Sequence, residues 1–216
     1  MNGATPSPAG FWKRYVAYFV DVLLLYLVIE IIAAVVFSGQ GGASELQQAT
    51  ALSKVLTDPQ ALTQNLQPLL ERTQTMLWQS LLLSSVAYVV LGGLYFAWLE
   101  SSPAQATIGK RLIGIKVTDL HGRRIGFGRA LARFFAASLS WLTMNIGHAL
   151  AAWTPERRAL HDYVAGTRVE NADPGQPGMP LWGWLVIAAH ALIFLLSIIA
   201  VVALVWLAVR AMSQGM

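Results

Sequence analysis

Two charged side chains near the start of the first hydrophobic segment are candidates for ion or proton binding. Asp21 follows Arg14 by seven residues in an otherwise apolar stretch, which corresponds to about two helical turns. Both side chains therefore lie on one face of a helix, with their ends about 10 Å apart at 1.5 Å per residue. This distance disfavours a direct ion pair but lets both groups face one polar pocket. A charge inside a membrane helix costs about 2.5–3.5 kcal/mol, so Asp21 needs a compensating partner.

A second polar stretch, at residues 157–167, contains a histidine next to an aspartate. Histidine changes charge near pH 7, so His161 beside Asp162 is a candidate proton relay. The alternative is structural: His161 is a packed core residue, and Asp162 caps a backbone turn or pairs with an arginine. The arginines within reach of that role are Arg111, Arg133 and Arg158.

Glu30 is a second acid in the first hydrophobic segment, nine residues after Asp21. Nine residues rotate a helix by about 180°, so the two carboxylates point to opposite faces. Glu30 is therefore either a second carboxylate on an ion path or a group that faces a partner helix or subunit. Asp21 has two interpretations as well: a proton- or cation-binding carboxylate, or a packing contact that holds helices in register.

The composition indicates a membrane protein. Of 216 residues, 56% are hydrophobic and 12% charged, whereas soluble domains carry about 25% charged residues. Cysteine is absent, which excludes disulfides and cysteine-based metal sites or nucleophiles. His148 and His190 lack a second ligand at suitable spacing, so we predict no metal site and no cofactor. No catalytic triad, phosphate loop or nucleic-acid recognition motif is complete, so we expect neither an enzyme nor a nucleic-acid-binding protein.

Four hydrophobic segments are long enough to cross a bilayer, at residues 15–37, 76–99, 131–153 and 181–209. The third is ambiguous, because it contains several polar residues and is followed by Arg157 and Arg158. A crossing would place these arginines outside the cell, against the positive-inside rule. We therefore favour a re-entrant or surface-lying helical hairpin, broken near residues 145–147, over a true span.

Basic residues predict the orientation. The loop at residues 100–129 is the most basic stretch of the chain, which places it and the N-terminus in the cytoplasm. Its side chains are also suited to contact with anionic lipids. The loop at 38–75 is then outside, where Asp58-Pro59 starts an amphipathic helical stretch against the membrane. Residues 1–10 lack the features of a signal peptide and are expected to be a disordered tail.

Alternating apolar residues at 113–118 predict a β-strand. A turn at 119–122 and a return strand at 123–125 would complete a small cytoplasmic β-hairpin. Residues 167–170 form another alternating run. Pairing of that run with the first strand would put both ends of the third hydrophobic segment on one side of the membrane. The predicted fold is thus an all-α integral membrane protein with three to four hydrophobic helical segments and this hairpin.

Three blocks of the chain resemble the RDD family of multi-pass membrane proteins, named for one arginine and two aspartates. The blocks are residues 11–21, 107–117 and 158–167. By this resemblance the Arg-Asp-Asp set comprises Arg14, Asp21 and Asp162. The RDD-like domain is placed at 11–170, followed by a linker at 171–180 and an additional transmembrane helix at 181–216.

The resemblance implies a multi-pass protein of the bacterial inner membrane. The RDD family is associated with transport, including cation/proton antiport in one branch. We therefore expect a proton-linked transporter of small cations, with Arg14, Asp21 and Asp162 at its polar centre and Glu30 assisting. The alternative is a non-transporting membrane scaffold or assembly partner in which the same set is a structural lock. Partners beyond the lipid bilayer would be a second copy of the chain or another membrane protein.

Overall fold

The computed structural model describes residues 7–37, 49–50, 52–54 and 59–214. Among these residues, three helical stretches are long and apolar enough to cross a membrane: Phe11–Val35, Leu70–Ser101 and Leu181–Ala211. The predicted all-α membrane fold is confirmed. In chain order the helices are α1 (Phe11–Phe37), α2 (Pro59–Ala87), α3 (Gly93–Ser101), α4 (Ile108–Ile113), α5 (Phe127–Leu142), α6 (Ile146–Trp153), α7 (Leu160–Ala165) and α8 (Leu181–Gln214).

Helix α1 buries one stripe and, in its second half, exposes its other large apolar side chains. The stripe consists of residues spaced by one helical turn, Ala17, Asp21, Leu25 and Ile29. From Tyr26 to Val35 the large apolar side chains outside the stripe are exposed, as expected for a helix that faces lipid. Glu30 is also exposed, on the face opposite Asp21 as the spacing predicts.

The second span consists of α2, a π-helical turn at Tyr88–Gly92 and α3. Gly92 and Gly93 lie against the ring of Phe134 in α5, where an added Cβ would come within 3.4 Å of it. The expected separate amphipathic stretch is wrong for residues 59–75, because α2 continues from Pro59 into the span. Helix-forming leucine, glutamate and glutamine residues fill that stretch, with no glycine to end the helix. Asp58 and residues 38–48 lie outside the described residues.

The third hydrophobic segment is a helical hairpin, as predicted. Helices α5 and α6 are separated by a turn in which Met144 and Asn145 have φ angles of 51° and 65°. Gly147 packs against Ser140, whose Oγ would lie 2.4 Å from a Cβ at position 147. This close approach keeps α5 and α6 folded back on each other instead of forming one spanning helix.

The sheet joins two strands that are far apart in the chain. Strand β1 (Ile115–Asp119) pairs antiparallel with β2 (Thr167–Asn171), and Val117 lies opposite Val169. The predicted return strand at 123–125 is wrong, since the Asp119 amide donates to the Arg123 carbonyl at 2.9 Å and only closes a turn. Pairing with β2 buries Val117 and Val169 almost completely. The return strand predicted at 123–125 contains two arginines, and burying them beside Val117 would cost free energy.

The segment before α1 lies along β2. The Ala9 amide donates to the Val169 carbonyl at 2.9 Å, and the Asn171 amide donates to Ser7 at 2.8 Å. Ala9 is fully buried. The expected disordered tail at residues 1–10 is therefore wrong for residues 7–10, because their backbone extends the sheet. Residues 1–6 lie outside the described residues.

Residues 172–180 connect β2 to α8. None of the most apolar stretch of α8 is buried, so nearly the whole helix is available to lipid. Its contact with α1 includes the ring of His190, whose centroid lies 5.7 Å from that of Tyr15 and 4.4 Å from that of Phe19. The His190 Nδ1 lies 2.8 Å from the carbonyl oxygen of Val186, one turn earlier in α8.

Candidate functional site

Five charged side chains from five helices meet at the end of the helical bundle where α1 begins. We call this set the ion-paired cluster; α1, α3, α4, α5 and α7 contribute in turn Arg14, Glu100, Lys110, Arg133 and Asp162. Its residues are separated by up to 148 positions in the chain. The cluster therefore fixes the mutual arrangement of these helices.

Arg133 is the centre of the cluster. Its Nη1 donates to both oxygens of Glu100 at 2.9 Å, and its Nη2 donates to Asp162 Oδ1 at 2.7 Å. Burial opposes the guanidinium charge, but Glu100 and Asp162 hold the pKa of Arg133 above its usual value. A planar guanidinium can bridge two carboxylates in this way, whereas a lysine cannot.

Asp162 is fully buried and bridges two arginines. It pairs with Arg14 and Arg133, and it accepts a 3.0 Å hydrogen bond from the Ala159 amide at the start of α7. Burial alone would raise the pKa of this carboxyl, but Arg14 and Arg133 outweigh burial and hold the pKa well below its usual range. Asp162 is therefore ionised at every physiological pH.

Arg14 also holds backbone on both sides of the cluster. Its Nε donates to the Ala9 carbonyl at 3.1 Å, and its Nη2 donates to the carbonyl of Arg157. Arg157 has a φ of 51°, a conformation that non-glycine residues rarely adopt. One arginine thus connects the segment before α1 to the turn before α7.

Glu100 and Lys110 form the remaining ion pair, with a distance of 2.7 Å between Lys110 Nζ and Glu100 Oε1. Lys110 Nζ also lies 5.1 Å from the centre of the Phe96 ring. Only 2% of Glu100 and 8% of Lys110 is exposed, so both charges of this pair are buried. Each charge offsets the desolvation of the other.

His161 contacts the cluster in its neutral form. Burial lowers the pKa of its imidazole well below the usual value, and the nearby Asp162 carboxylate does not offset this. His161 Nε2 lies 3.1 Å from Arg133 Nη2. Because arginine only donates hydrogen bonds, Nε2 accepts here and the imidazole proton lies on Nδ1. His161 Nδ1 is buried and has no hydrogen-bond partner within the described part of the chain.

Asp21 occupies a separate site. Its carboxylate is fully buried and accepts hydrogen bonds from the hydroxyls of Tyr95 at 2.7 Å and Thr107 at 2.5 Å. The backbone amide of Gly109 donates a third bond at 2.8 Å. Asp21 therefore holds the first turn of α4 against α1. Neutral donors, not an arginine, satisfy this carboxylate.

A cavity of about 550 Å³ lies against the cluster. Its wall is mostly apolar and aromatic, and the charged part of the wall comes from Arg14, Glu100, Lys110 and Arg133. Asp21 is not part of the wall. The expected single pocket for Arg14 and Asp21 is therefore wrong, because Asp21 points to α4 while Arg14 turns towards α7. Glu30, exposed on the far side of α1, is not part of the wall either.

Two residues of the cluster carry signals in the sequence that were not used: Glu100 and Lys110 are opposite charges on either side of a short turn. Buried charges need partners, so each was a candidate for the cluster. Arg133 was one of the three arginines predicted as possible partners of Asp162, and that pairing is confirmed. Among the described residues no group of three or more metal-ligating side chains is present.

Comparison with known proteins identifies the family. The RDD family model matches residues 8–166, which contain the ion-paired cluster and Asp21. The chain belongs to the RDD family. The match ends before α8, so this RDD protein carries its last membrane helix outside the matched region.

Two relatives come from Bacillus subtilis (strain 168). The uncharacterized protein YxaI is 32% identical over 167 residues, which cover 76% of this chain and 97% of YxaI. The uncharacterized protein YckC is 34% identical over 74 residues, 32% of this chain and 49% of YckC. No solved structure gives a significant match to this RDD protein. The similarity therefore establishes the family, and both relatives are uncharacterized.

Proposed function

We propose that this RDD protein is a non-transporting membrane scaffold in which the ion-paired cluster and the Asp21 contacts act as a structural lock. One observation supports this most strongly: the carboxylates of Asp21, Glu100 and Asp162 are all buried and all fully partnered. A cation-binding site needs carboxylate oxygens that face a path and are open to the ion. Here an ion would have to displace an arginine, a lysine or three aligned donors.

The lock holds short elements against the membrane helices. Helices α4 and α7 are each six residues long, too short to be stable in isolation. Asp21 attaches α4 to α1, and Asp162 attaches α7 to α1 and α5. Together with the sheet, these contacts support a small cap that we place on the cytoplasmic side of the bacterial inner membrane. This proposal assigns the protein no catalytic activity and no cofactor.

The exposed arginines of the basic loop provide the docking surface of this scaffold. Arg123, Arg124 and Arg129 are exposed, so they are available to anionic lipids or to an acidic partner protein. The partner is a second copy of the chain or another membrane protein. Lys110 does not belong to this surface, because it is buried in the cluster.

Proton-linked transport of small cations is the second candidate, and a candidate proton-binding group favours it. The wall of the cavity includes His161 and the carboxylate of Glu100, so a titratable side chain lies next to an open volume. Transport would require a path from this cavity across the membrane, which an oligomer would have to complete.

One experiment separates the two candidates. Purified protein is reconstituted into liposomes with a pH-sensitive dye, and proton movement is recorded under Na⁺, K⁺ and Li⁺ gradients for wild type and Asp21→Asn. The scaffold proposal predicts no flux above empty liposomes. It also predicts that Asp21→Asn lowers the free energy of unfolding by about 2–3 kcal/mol, because an amide cannot accept all three bonds. Cation-dependent flux by the stably folded wild-type protein would overturn it, whether or not Asp21→Asn keeps that flux, because Asp21 lies outside the cavity wall.

A further inference from the structure

The cavity beside the ion-paired cluster has the size and lining of a ligand-binding site, which the scaffold proposal does not require. Its volume of about 550 Å³ is within the range of small-molecule sites, roughly 300–1,000 Å³. Aromatic rings from three helices, among them Phe11, Phe96 and Phe134, form much of its wall. Glu100 pairs with Lys110 and Arg133, and Arg14 is joined to Arg133 through Asp162, so these charged groups occupy one part of the wall. A ligand that matches this lining has an apolar body and one polar end.

The charged part of the wall selects the sign of that polar end. Three cations, Arg14, Lys110 and Arg133, line the cavity together with one carboxylate, Glu100. The carboxylate of Asp162 lies behind the wall and is held by both arginines. The wall therefore repels a cationic end and attracts an anionic one.

Unused donors point the same way. Lys110 Nζ has three protons, and its oxygen partner in the structure is Glu100. His161, whose ring is part of the wall, carries a proton on Nδ1 that has no acceptor among the described residues. A buried donor without an acceptor costs free energy that a ligand oxygen would recover.

Two tyrosines add a donor to the aromatic part of the wall. The hydroxyls of Tyr18 and Tyr88 lie 3.1 Å apart, and both residues line the cavity. Because one hydroxyl donates to the other, one proton of the pair is left over. Tyr88 begins the π-helical turn of the second span, a feature that is frequent at functional sites.

We propose that this cavity binds an amphipathic oxyanion, with a single acyl chain along the aromatic wall and a carboxylate or phosphate head beside Lys110 and His161. The bilayer that surrounds the protein is the source of such molecules. Binding at this site depends on the lining of the cavity and is independent of whether the protein transports ions.

The test is photocrosslinking of the full-length protein in detergent, followed by mapping of the labelled peptides. The first probe is palmitate with a diazirine in its chain, and its methyl ester is the uncharged counterpart. The second probe is phosphatidylglycerol with a diazirine in one acyl chain. Free palmitate should label peptides from α5 and α6 about tenfold more than the ester, the value of one charge-assisted hydrogen bond. Labelling of α8, which faces lipid, should be equal for acid and ester.

Two substitutions are designed to reduce the volume of the cavity, and a third places the same ring outside it as a control. Ala149→Phe and Ser138→Phe place a ring in the wall, and each should reduce labelling of α5 and α6 by about tenfold. Ala152→Phe adds the same ring to an exposed position of α6 and should leave labelling unchanged. Ser138 is itself exposed, so its substitution tests the site even if Ala149→Phe does not fold.

The results separate the sources of the ligand and the alternatives to binding. Labelling by palmitate alone identifies a free fatty acid, and labelling by phosphatidylglycerol as well identifies a membrane phospholipid. Both results support an oxyanion site. Equal labelling of α5 and α6 by palmitate and its ester, or no loss of labelling in either narrowed variant, would overturn the proposal.

Discussion

The carboxylate of Asp21 accepts a 2.8 Å hydrogen bond from the backbone amide of Gly109, 88 residues later in the chain. The missing side chain at Gly109 permits this approach, because a Cβ there would lie 2.1 Å from the carbonyl oxygen of Ala17. Two residues of very different chemistry therefore form one contact. Glycine sets the distance between α1 and α4, and aspartate accepts the hydrogen bond of the one amide that this distance brings to it.

Substitution of this glycine should separate the two helices. Gly109→Ala forces the backbone of α4 away from α1, so we expect the free energy of unfolding to fall by about 1–3 kcal/mol or more. Gly128→Ala is the matched control, because nothing lies within 4 Å of a Cβ at that position. Thermal unfolding of both variants in the same detergent measures the difference. Equal stabilities would show that α4 is not held at this distance.

Removal of the Asp162 charge should be more damaging than removal of an exposed one. Asp162→Asn removes the carboxylate that pairs with Arg14 and Arg133. Breaking a buried ion pair in this way lowers the free energy of unfolding by about 3–5 kcal/mol. Asp173→Asn is the control, because the Asp173 carboxylate accepts a bond from Gly175 on an exposed turn. We expect that variant to change stability by about 0.5 kcal/mol or less. Yield and melting temperature are the readouts, and a wild-type melting temperature for Asp162→Asn would contradict the lock.

The neutral His161 should make the protein sensitive to mild acid. Burial lowers the pKa of His161 below its usual value of 6.5, so the unfolded chain binds a proton that the folded chain does not. Stability is therefore lost as pH falls below about 6.5, with a slope of up to about 1.4 kcal/mol per pH unit for one group. The lowered pKa of His148 adds to the same trend.

Denaturant unfolding between pH 7.5 and 5 measures this slope. His161→Asn should flatten it, because the variant has no group to protonate there. His121→Asn should keep the wild-type slope, since the His121 side chain is 76% exposed. Identical slopes in wild type and His161→Asn would show that His161 is protonated in the folded protein.

Asp119 should titrate at unusually low pH. Burial raises the pKa of its carboxyl, but hydrogen bonds and the charge of Arg123 lower it from 3.8 to about 2. The stabilising effect is therefore present above pH 3.8 and is lost as pH falls through about 2. The amides of His121 and Arg123 donate to Asp119 Oδ1 at 2.8 and 2.9 Å, so their NMR shifts report this titration. A midpoint near 3.8 would contradict the turn geometry.

The sequence predicted the elements better than their partners. Membrane class, the apolar spans and the break near Asn145 follow from local composition and turn chemistry. The partners of Glu100 could not be predicted from local sequence, because Arg133 lies 33 residues away. Hydrophobic periodicity indicates which face of a helix is buried, but it does not indicate which element packs against that face. The same limit applies to β1. Its local pattern favoured pairing with the adjacent residues 123–125, whereas the structure pairs Val117 with Val169 of β2.

The sites divide in the same way. The family resemblance selected Arg14, Asp21 and Asp162, and the structure places Arg14 and Asp162 in one ion-paired cluster. Asp21 belongs to a different site, because Tyr95, Thr107 and the Gly109 amide satisfy its carboxylate. The assignment of these three residues as the defining set of the family stays a prediction.

The ion pair between Arg14 and Asp162 has a consequence for biogenesis. The two residues are 148 positions apart, so at about 5–20 residues per second the ribosome needs roughly 7–30 s to deliver the second after the first. During this interval α1 lies in the translocation machinery or the bilayer while Arg14 lacks its partner Asp162. Residues 7–10 wait longer still, for β2. The fold is thus completed only after residue 171 has been synthesised, because β2 pairs with the segment before α1.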